Sequence, residues 1–355
     1  MQHLSRSKPM TFDVAIVGAG PAGASCAAFC AAAGLKTVLL ERSRFPREKV
    51  CGDCINPACW PIFERLDLSA RIAALPHSRL EAVEFIDQKG HSIRVALPAS
   101  STGEIAMKRS LLDELLLMRS VELGAEVHQE QAVTKIQRGW TIHTAGGAFF
   151  TRVLVAADGR NSTVARQLHL LPVPKRDRIG VQTTLAAPTN FGNRVTLRFL
   201  KNGYCGTASL GGNQLNLCLV ARPDDLDSLK SWAASHFRIA SQQAWRTVSP
   251  LARAPIQPGH ENLLLTGDAA RVVEPFTGEG IYYALATGEL AARHIIANDL
   301  AGYARSHSAL YRGRLWINEL SRFAVTHPRA ANTILAMARL APGALRLLTR
   351  KVIGS

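Results

Sequence analysis

A chain of 355 residues, 47% hydrophobic and 19% charged, can bury a large core with an inserted lobe, and that composition excludes a disordered polypeptide. Its formal charge of +15 comes with no RNA- or DNA-binding motif, so nucleic acid is not an expected partner. The N-terminal MQHLSRSKPM lacks the apolar stretch of a signal peptide, no apolar run stands apart as a membrane span, and the seven cysteines are odd in number; the expectation is a cytoplasmic protein with free thiols.

The first element is Phe12–Glu41. An apolar run of strand composition, Phe12–Val17, leads into Gly18, Gly20 and Gly23 in G-x-G-x-x-G spacing, with Pro21 and Ala22 between them. A small-residue helix follows, then a second apolar run, Val38–Leu40, closed by Glu41. The first glycine makes the tight turn, the second admits a pyrophosphate to the backbone, and the third lets helix and strand pack closely. Free N–H groups and the positive dipole end of the helix face the phosphates, and an acid ending the second strand suits a ribose hydroxyl. The stretch therefore predicts a dinucleotide site.

The loop after Glu41 carries Arg42, Arg44, Arg47 and Lys49, which suit a pyrophosphate or an anionic reactant, and the spacing then predicts a helix over about Pro61 to Leu75. Residues 79–97 alternate apolar and polar on either side of Asp87–Gly90, a hairpin signal that marks a second lobe. A helix from Met107 to Gly124, a hairpin over roughly 126–150 and a strand over Val153–Ala156 come next, the strand delivering Asp158 and Gly159 to a loop. Residues 178–250 read as antiparallel strands interrupted by one helix, Leu226–Phe237; a strand, loop and helix after Asn262 rejoin the first sheet.

From Ala301 to Ser355 nine Arg/Lys stand against one acid, Glu319, with Ile334, Leu335, Met337, Leu340, Leu345, Leu347 and Leu348 at helical spacing. Such a pattern suits an anionic membrane surface, with the protein peripheral to the inner face of a membrane, or an acidic partner; a solvated helix with a buried apolar stripe gives the same pattern. Cys51-Gly52-Asp53-Cys54 is a C-x-x-C of the kind that serves dithiol redox chemistry, but residues 110–260 hold no second dinucleotide fingerprint for NADPH. Cys59 is a third cysteine without a second C-x-x-C or a histidine pair, so no metal is expected.

Three segments in order, GAGPAG with Glu41, ADGRNS at 157–162 and TGDAARVVEPFTGEGIYYAL at 266–285, give the chain a resemblance over about residues 11–290 to the flavoprotein hydroxylases of the para-hydroxybenzoate hydroxylase superfamily, especially its geranylgeranyl reductase-like branch. The resemblance implies an α/β fold: a Rossmann-like FAD-binding domain (10–78, 101–177 and 256–300) interleaved with an antiparallel substrate domain (79–100 and 178–255), then a basic helical tail (301–355). It implies that Gly18, Gly20, Pro21, Ala22, Gly23, Glu41 and Arg42 serve the ADP half of FAD, and that Arg109 reaches the cofactor. Asp158 and Gly159 match a second fingerprint near the pyrophosphate, Gly267, Asp268 and Pro275 the ribityl region, and the Gly278-Glu279-Gly280 backbone the flavin ring. A helix starting at Gly280 would aim its dipole at the pyrimidine edge, where reduced flavin is negative.

KVCGD resembles a segment near the flavin in the reductase branch, making Arg47, Lys49, Cys51, Gly52 and Asp53, with Tyr204 from the second lobe, the expected active-site lining. Cys205 and His236 of that lobe read as packing residues, and no catalytic base is named. The tyrosine–tryptophan–phenylalanine–proline motif of geranylgeranyl reductases is reduced here to Gly203-Tyr204, and the W-x-W-x-I-P of flavin halogenases is absent. Hydroxylation of an aromatic or lipidic substrate, driven by transient NAD(P)H, is the leading expectation. Reduction of isoprenoid double bonds is the alternative, and a separate partner reductase is compatible with either. A disulfide-type flavoprotein using Cys51 and Cys54, or an idle flavoprotein, comes behind them.

Overall fold

A computed structural model describes residues 10–173, 177–340, 343, 347 and 349. Its first sheet is built on Met10–Val17, which pairs in parallel with Thr37–Leu40 on one side and Gly147–Ala156 on the other. Leu263–Leu265 and Glu126–His128 extend the sheet outward, again in parallel. Strands buried on both faces need apolar residues at every position, and Val14, Ile16, Val38, Leu39, Val153 and Val155 are fully buried.

Helix α1 (Pro21–Ala32) is small-residued all round because it is covered all round, by this sheet on one side and by a long C-terminal helix on the other. The helix expected over 61–75 is instead two, α2 (Trp60–Arg65) and α3 (Ser69–Ala74). Leu66 and Leu68 are both buried, and residues two apart cannot share a helix face; the turn at Asp67, with φ of 54°, aims both inward. Helix α4 (Arg109–Glu122) ends at Gly124, with φ of 103°.

The hairpin expected over 126–150 is also different. Glu126–His128 returns beside Thr37–Leu40, as a strand must when a helix carries the chain across the sheet. The antiparallel meander is Lys135–Gln137, Thr141–Thr144 and the first half of Gly147–Ala156. A short helix, α5 (Thr163–Gln167), covers its end.

The second sheet has seven strands in the order 246–248, 179–186, 214–221, 203–209, 194–200, 82–86, 92–96. All neighbours are antiparallel except 194–200 with 82–86, so the early hairpin joins through one parallel pairing. Helix α6 (Leu226–Phe237) packs on one face of this sheet. A three-stranded patch, Cys54–Ile55, Ile105–Ala106 and Ser78–Arg79, sits where the chain passes between the two sheets.

After α7 (Gly280–Ile296) and α8 (Tyr303–Leu310), the tail helices α9 (Leu315–Thr326) and α10 (Pro328–Leu340) lie on the other face of the second sheet. Ala324, Val325, Ala331 and Leu335 pack there with Phe199, Tyr204 and Val220. Burying Leu335 alone contributes about 2 kcal/mol. The tail's apolar series thus divides: Leu335 faces inward, while Met337 and Leu347 are exposed. Leu345, Leu348 and the side chain of Leu340 lie outside the described residues. Among the described residues no helix is long and apolar enough to cross a membrane.

Candidate active site

The glycine turn is where the two ends of the first sheet crowd together. A methyl group on Gly23 would stand 1.8 Å from the Gly18 carbonyl oxygen, so only hydrogen fits between α1 and the turn. Gly20 differs: a Cβ there would meet only the Arg47 guanidinium, at 3.7 Å. Gly20 caps α1 without any side-chain bond, and the first turn holds no acid. The result is an open cradle of helix N–H groups with a cation above it, suited to a pyrophosphate.

Glu41 is buried at the end of its strand, accepting from the Ala19 N–H at 2.8 Å and the Ser43 N–H at 2.9 Å. Its four lone-pair positions leave room for a ribose hydroxyl. Arg47 stacks over Phe45 and lies 3.4 Å from Asp113, while its buried Nε has no hydrogen-bond partner. An orphan donor above an open cradle, with an orphan acceptor at Asp158 Oδ1 across the strand ends, fits a bound dinucleotide. Arg42 points outward, exposed.

Asp158 also holds its own loop: its Oδ2 accepts from the N–H groups of Thr163 and Val164, at 2.6 and 3.1 Å, capping α5. Gly159, with φ of 83°, turns this loop past Lys49. Arg160 donates to Asp268 at 2.9 Å, and the Gly267 N–H donates to Thr287 of α7 at 2.8 Å. Pro275, Gly278 and Gly280 bring the start of α7 to the same space. The Glu279 side chain turns away from it, buried against Arg314, which precedes α9, and Asn318 of α9 at 3.2 Å each.

Gly159, Arg160, Asp268, Pro275, Gly278 and Gly280 line one cavity of ≈ 360 Å³ that continues between the second sheet and the tail helices. At the cofactor end its wall includes Gly20, Lys49, Arg109, Gly159 and Asp268; at the far end it includes Phe85, Leu197, Phe199, Val220 and Leu335. Tyr204 stands with the far-end residues, edge-on to Phe276 at 5.3 Å. Arg109 is fixed by a two-pronged contact with Asp113, at 2.8 and 2.9 Å. Cys205 is a core residue and His236 stacks on Trp232 of α6, both as packing.

The Cys51-Gly52-Asp53 loop is tied to the second sheet. Gln182 accepts from the Cys51 N–H at 3.2 Å and donates to Asp53 Oδ2 and Asn216 Oδ1, each at 2.9 Å. Asn216 donates to the Cys51 carbonyl at 3.0 Å. Asp53 has φ of 59° and is buried, and burial pushes its carboxyl up to about 7. Burial likewise raises Glu104, on the cavity wall, to about 7 and lowers Lys49 to about 8, the latter helped by Arg109. It raises the Cys51 and Cys54 thiols too, and no disulfide joins them. Protonated thiols are poor nucleophiles, which weighs against dithiol chemistry.

Gln182, Asn216, Arg160 and Glu104 escape the sequence reading. The first two have a faint signal, single amides at inward positions of apolar strands; Arg160 stands two residues past Asp158 in the fingerprint itself.

The fold and site define an FAD-binding oxidoreductase. The FAD binding domain family matches residues 11–196, and the chain belongs to that family. It is 30% identical over 325 residues to menaquinone reductase of Mycobacterium tuberculosis, covering 81% of this chain and 78% of that protein. It is 27% identical to geranylgeranyl diphosphate reductase of Rhodobacter capsulatus, covering 85% and 82% of the two chains. Of the Conditioned medium factor receptor 1 of Dictyostelium discoideum, 26% identical, it spans only 65% of the length while using 83% of its own. A triple mutant of the flavin-dependent brominase Bmp2 shares the fold, with a TM-score of 0.80 at 20% identity over 97% of this chain and 95% of that one.

Proposed function

We propose that this flavoprotein reduces a carbon–carbon double bond in an apolar, isoprenoid-type chain. The observation that carries the reading is the far half of the cavity, where aliphatic and aromatic side chains of the second sheet face the tail helices. Such a wall binds an alkyl chain by removing it from water and offers a phenol or sugar little to hold. The names of the menaquinone and geranylgeranyl diphosphate reductases support the same substrate class.

FAD, when bound, supplies the reducing equivalents; the protein supplies placement and protons. The glycine cradle, Arg47 and Glu41 would hold the dinucleotide, and the Cys51–Asp53 loop sets the floor against which a substrate rests. Glu104, raised to about 7 by burial, keeps its proton on a good share of molecules at neutral pH and can give it up inside the cavity. NAD(P)H, arriving transiently, or a separate reductase would refill the flavin.

Hydroxylation is the second reading, favoured by the Tyr204 hydroxyl and the Asn216 amide on the cavity wall, which could orient a polar head group. Mass spectrometry of products from a prenylated quinone and a phenolic lipid, each with NADPH and with or without O₂, separates the two. The reductase reading expects a product heavier by a pair of hydrogens, formed without O₂. A product gaining an oxygen atom only when O₂ is present would overturn it in favour of hydroxylation.

A further inference from the structure

The wall of the cavity facing the tail is one helix thick. Ile317 and Ala324 of α9 point inward and line it, while Trp316, Leu320 and Phe323 stand on the outer side of the same helix, 46%, 39% and 49% exposed. Their spacing, i, i+4 and i+7, puts them in one row. Leu320 does both, lining the cavity and meeting solvent, so the cavity reaches the surface beside it. Met337 of α10 adds a further exposed apolar side chain from the neighbouring helix. Scattered exposed apolar residues are ordinary; an apolar row at the mouth of an apolar cavity is not.

The charge around this row is mainly basic, with Glu319 and Asp177 as the acids beside it. Arg312, in the turn leading into α9, is exposed, and Arg322 on α9 is 51% exposed with its nearest acid, Asp177, 4.0 Å away. Residues 301–355 carry nine basic side chains against Glu319 alone. That excess repels a second copy of the same face. Aromatic and aliphatic side chains flanked by arginines instead match the boundary of an anionic bilayer, where the former enter the acyl region and the latter meet the head groups.

We propose that the outer side of α9 docks on an anionic lipid surface and that the mouth beside Leu320 then faces the acyl region, so that an apolar substrate enters without crossing water. The entry of substrate rests on the proposed function; the docking does not. The test is therefore run without turnover, by co-sedimenting the full-length, FAD-loaded protein with vesicles of phosphatidylcholine alone or mixed with phosphatidylglycerol. The expected result is binding to the mixed vesicles only, weakened by salt.

Trp316→Ser with Phe323→Ser should lower that partition by about tenfold or more. Met118→Ser with Val121→Ser, which removes equally exposed apolar side chains from α4, should leave it unchanged. Arg312→Glu with Arg322→Glu, a surface change that leaves the apolar row intact, should abolish the preference for the anionic lipid even if the serine variant folds poorly. Binding by the α9 variants equal to that of the parent overturns the proposal, as does an equal loss in the α4 control. A dimer broken by the α9 serine changes in protein that binds no vesicle would assign the row to a second copy instead.

Discussion

Replacing Asp53 by asparagine should make the protein more stable, and increasingly so as the pH rises. The ordinary carboxyl value of 3.8 is raised to about 7, mainly by burial. A raised carboxyl binds its proton more tightly folded than unfolded, so its contribution is favourable below the unfolded value and is lost as the pH climbs toward the folded one. At about 1.4 kcal/mol per tenfold change in proton affinity, the charged Asp53 costs about 4 kcal/mol above neutrality but only about 1.5 kcal/mol near pH 5.

Asparagine removes that penalty and introduces a smaller one. Asp53 accepts from both the Arg109 N–H and Gln182 Nε2, and an amide can accept from only one of them. The mismatch costs about 1–2 kcal/mol at any pH. The stability of Asp53→Asn relative to the parent should therefore rise by about 2–3 kcal/mol between about pH 5 and pH 8, measured as urea midpoints by circular dichroism. Glu104 titrates in the same range but is present in both proteins, so the difference isolates Asp53. A stability difference that stays flat with pH would refute the reasoning.

Further substitutions probe the cofactor end and the join between the sheets. Gly20→Ala should fold within about 1 kcal/mol of the parent yet bind FAD at least about tenfold more weakly, because the new methyl enters the open cradle. Gly23→Ala should cost about 3 kcal/mol or more, because the Gly18 carbonyl must move; thermal melts and flavin absorbance distinguish the two outcomes, and equal flavin loss with equal destabilisation would contradict the assigned roles. Gln182→Leu strands the Cys51 N–H, Asp53 Oδ2 and Asn216 Oδ1, so it should lower melting stability by about 2–4 kcal/mol and raise KM. An unchanged KM in the leucine variant would separate this network from substrate placement.

The cofactor half was legible because its chemistry is local. Gly18, Gly20, Gly23 and Glu41 lie within one strand–helix–strand unit, so spacing alone carries the geometry. The hairpin at 79–97 and helix Leu226–Phe237 were legible because their polar and apolar alternation is set by a single buried face. The break at Asp67 was hidden because Leu66 and Leu68 satisfy an apolar count whether or not they share a face. Glu126–His128 was hidden because a strand's partner is chosen by the helix before it, not by its own residues. Gln182 and Asn216 were hidden for a different reason: each amide has meaning only beside the backbone of Cys51, 131 and 165 residues away.

The loop from Arg47 to Asp53 is a short stretch whose two ends serve different sheets. Arg47 stands above the glycine cradle, while four residues later the Cys51 peptide groups belong to the second sheet through Gln182 and Asn216. The distance between a bound dinucleotide and the substrate wall is therefore set by a few peptide units, whose torsions are fixed at the far end by the left-handed Asp53. This loop and the start of α7 are two of the contacts through which a displacement of the second sheet reaches the cofactor side, and α7 is itself held to the tail by Glu279, Arg314 and Asn318. Both routes join the reacting region to elements that cover the apolar half of the cavity.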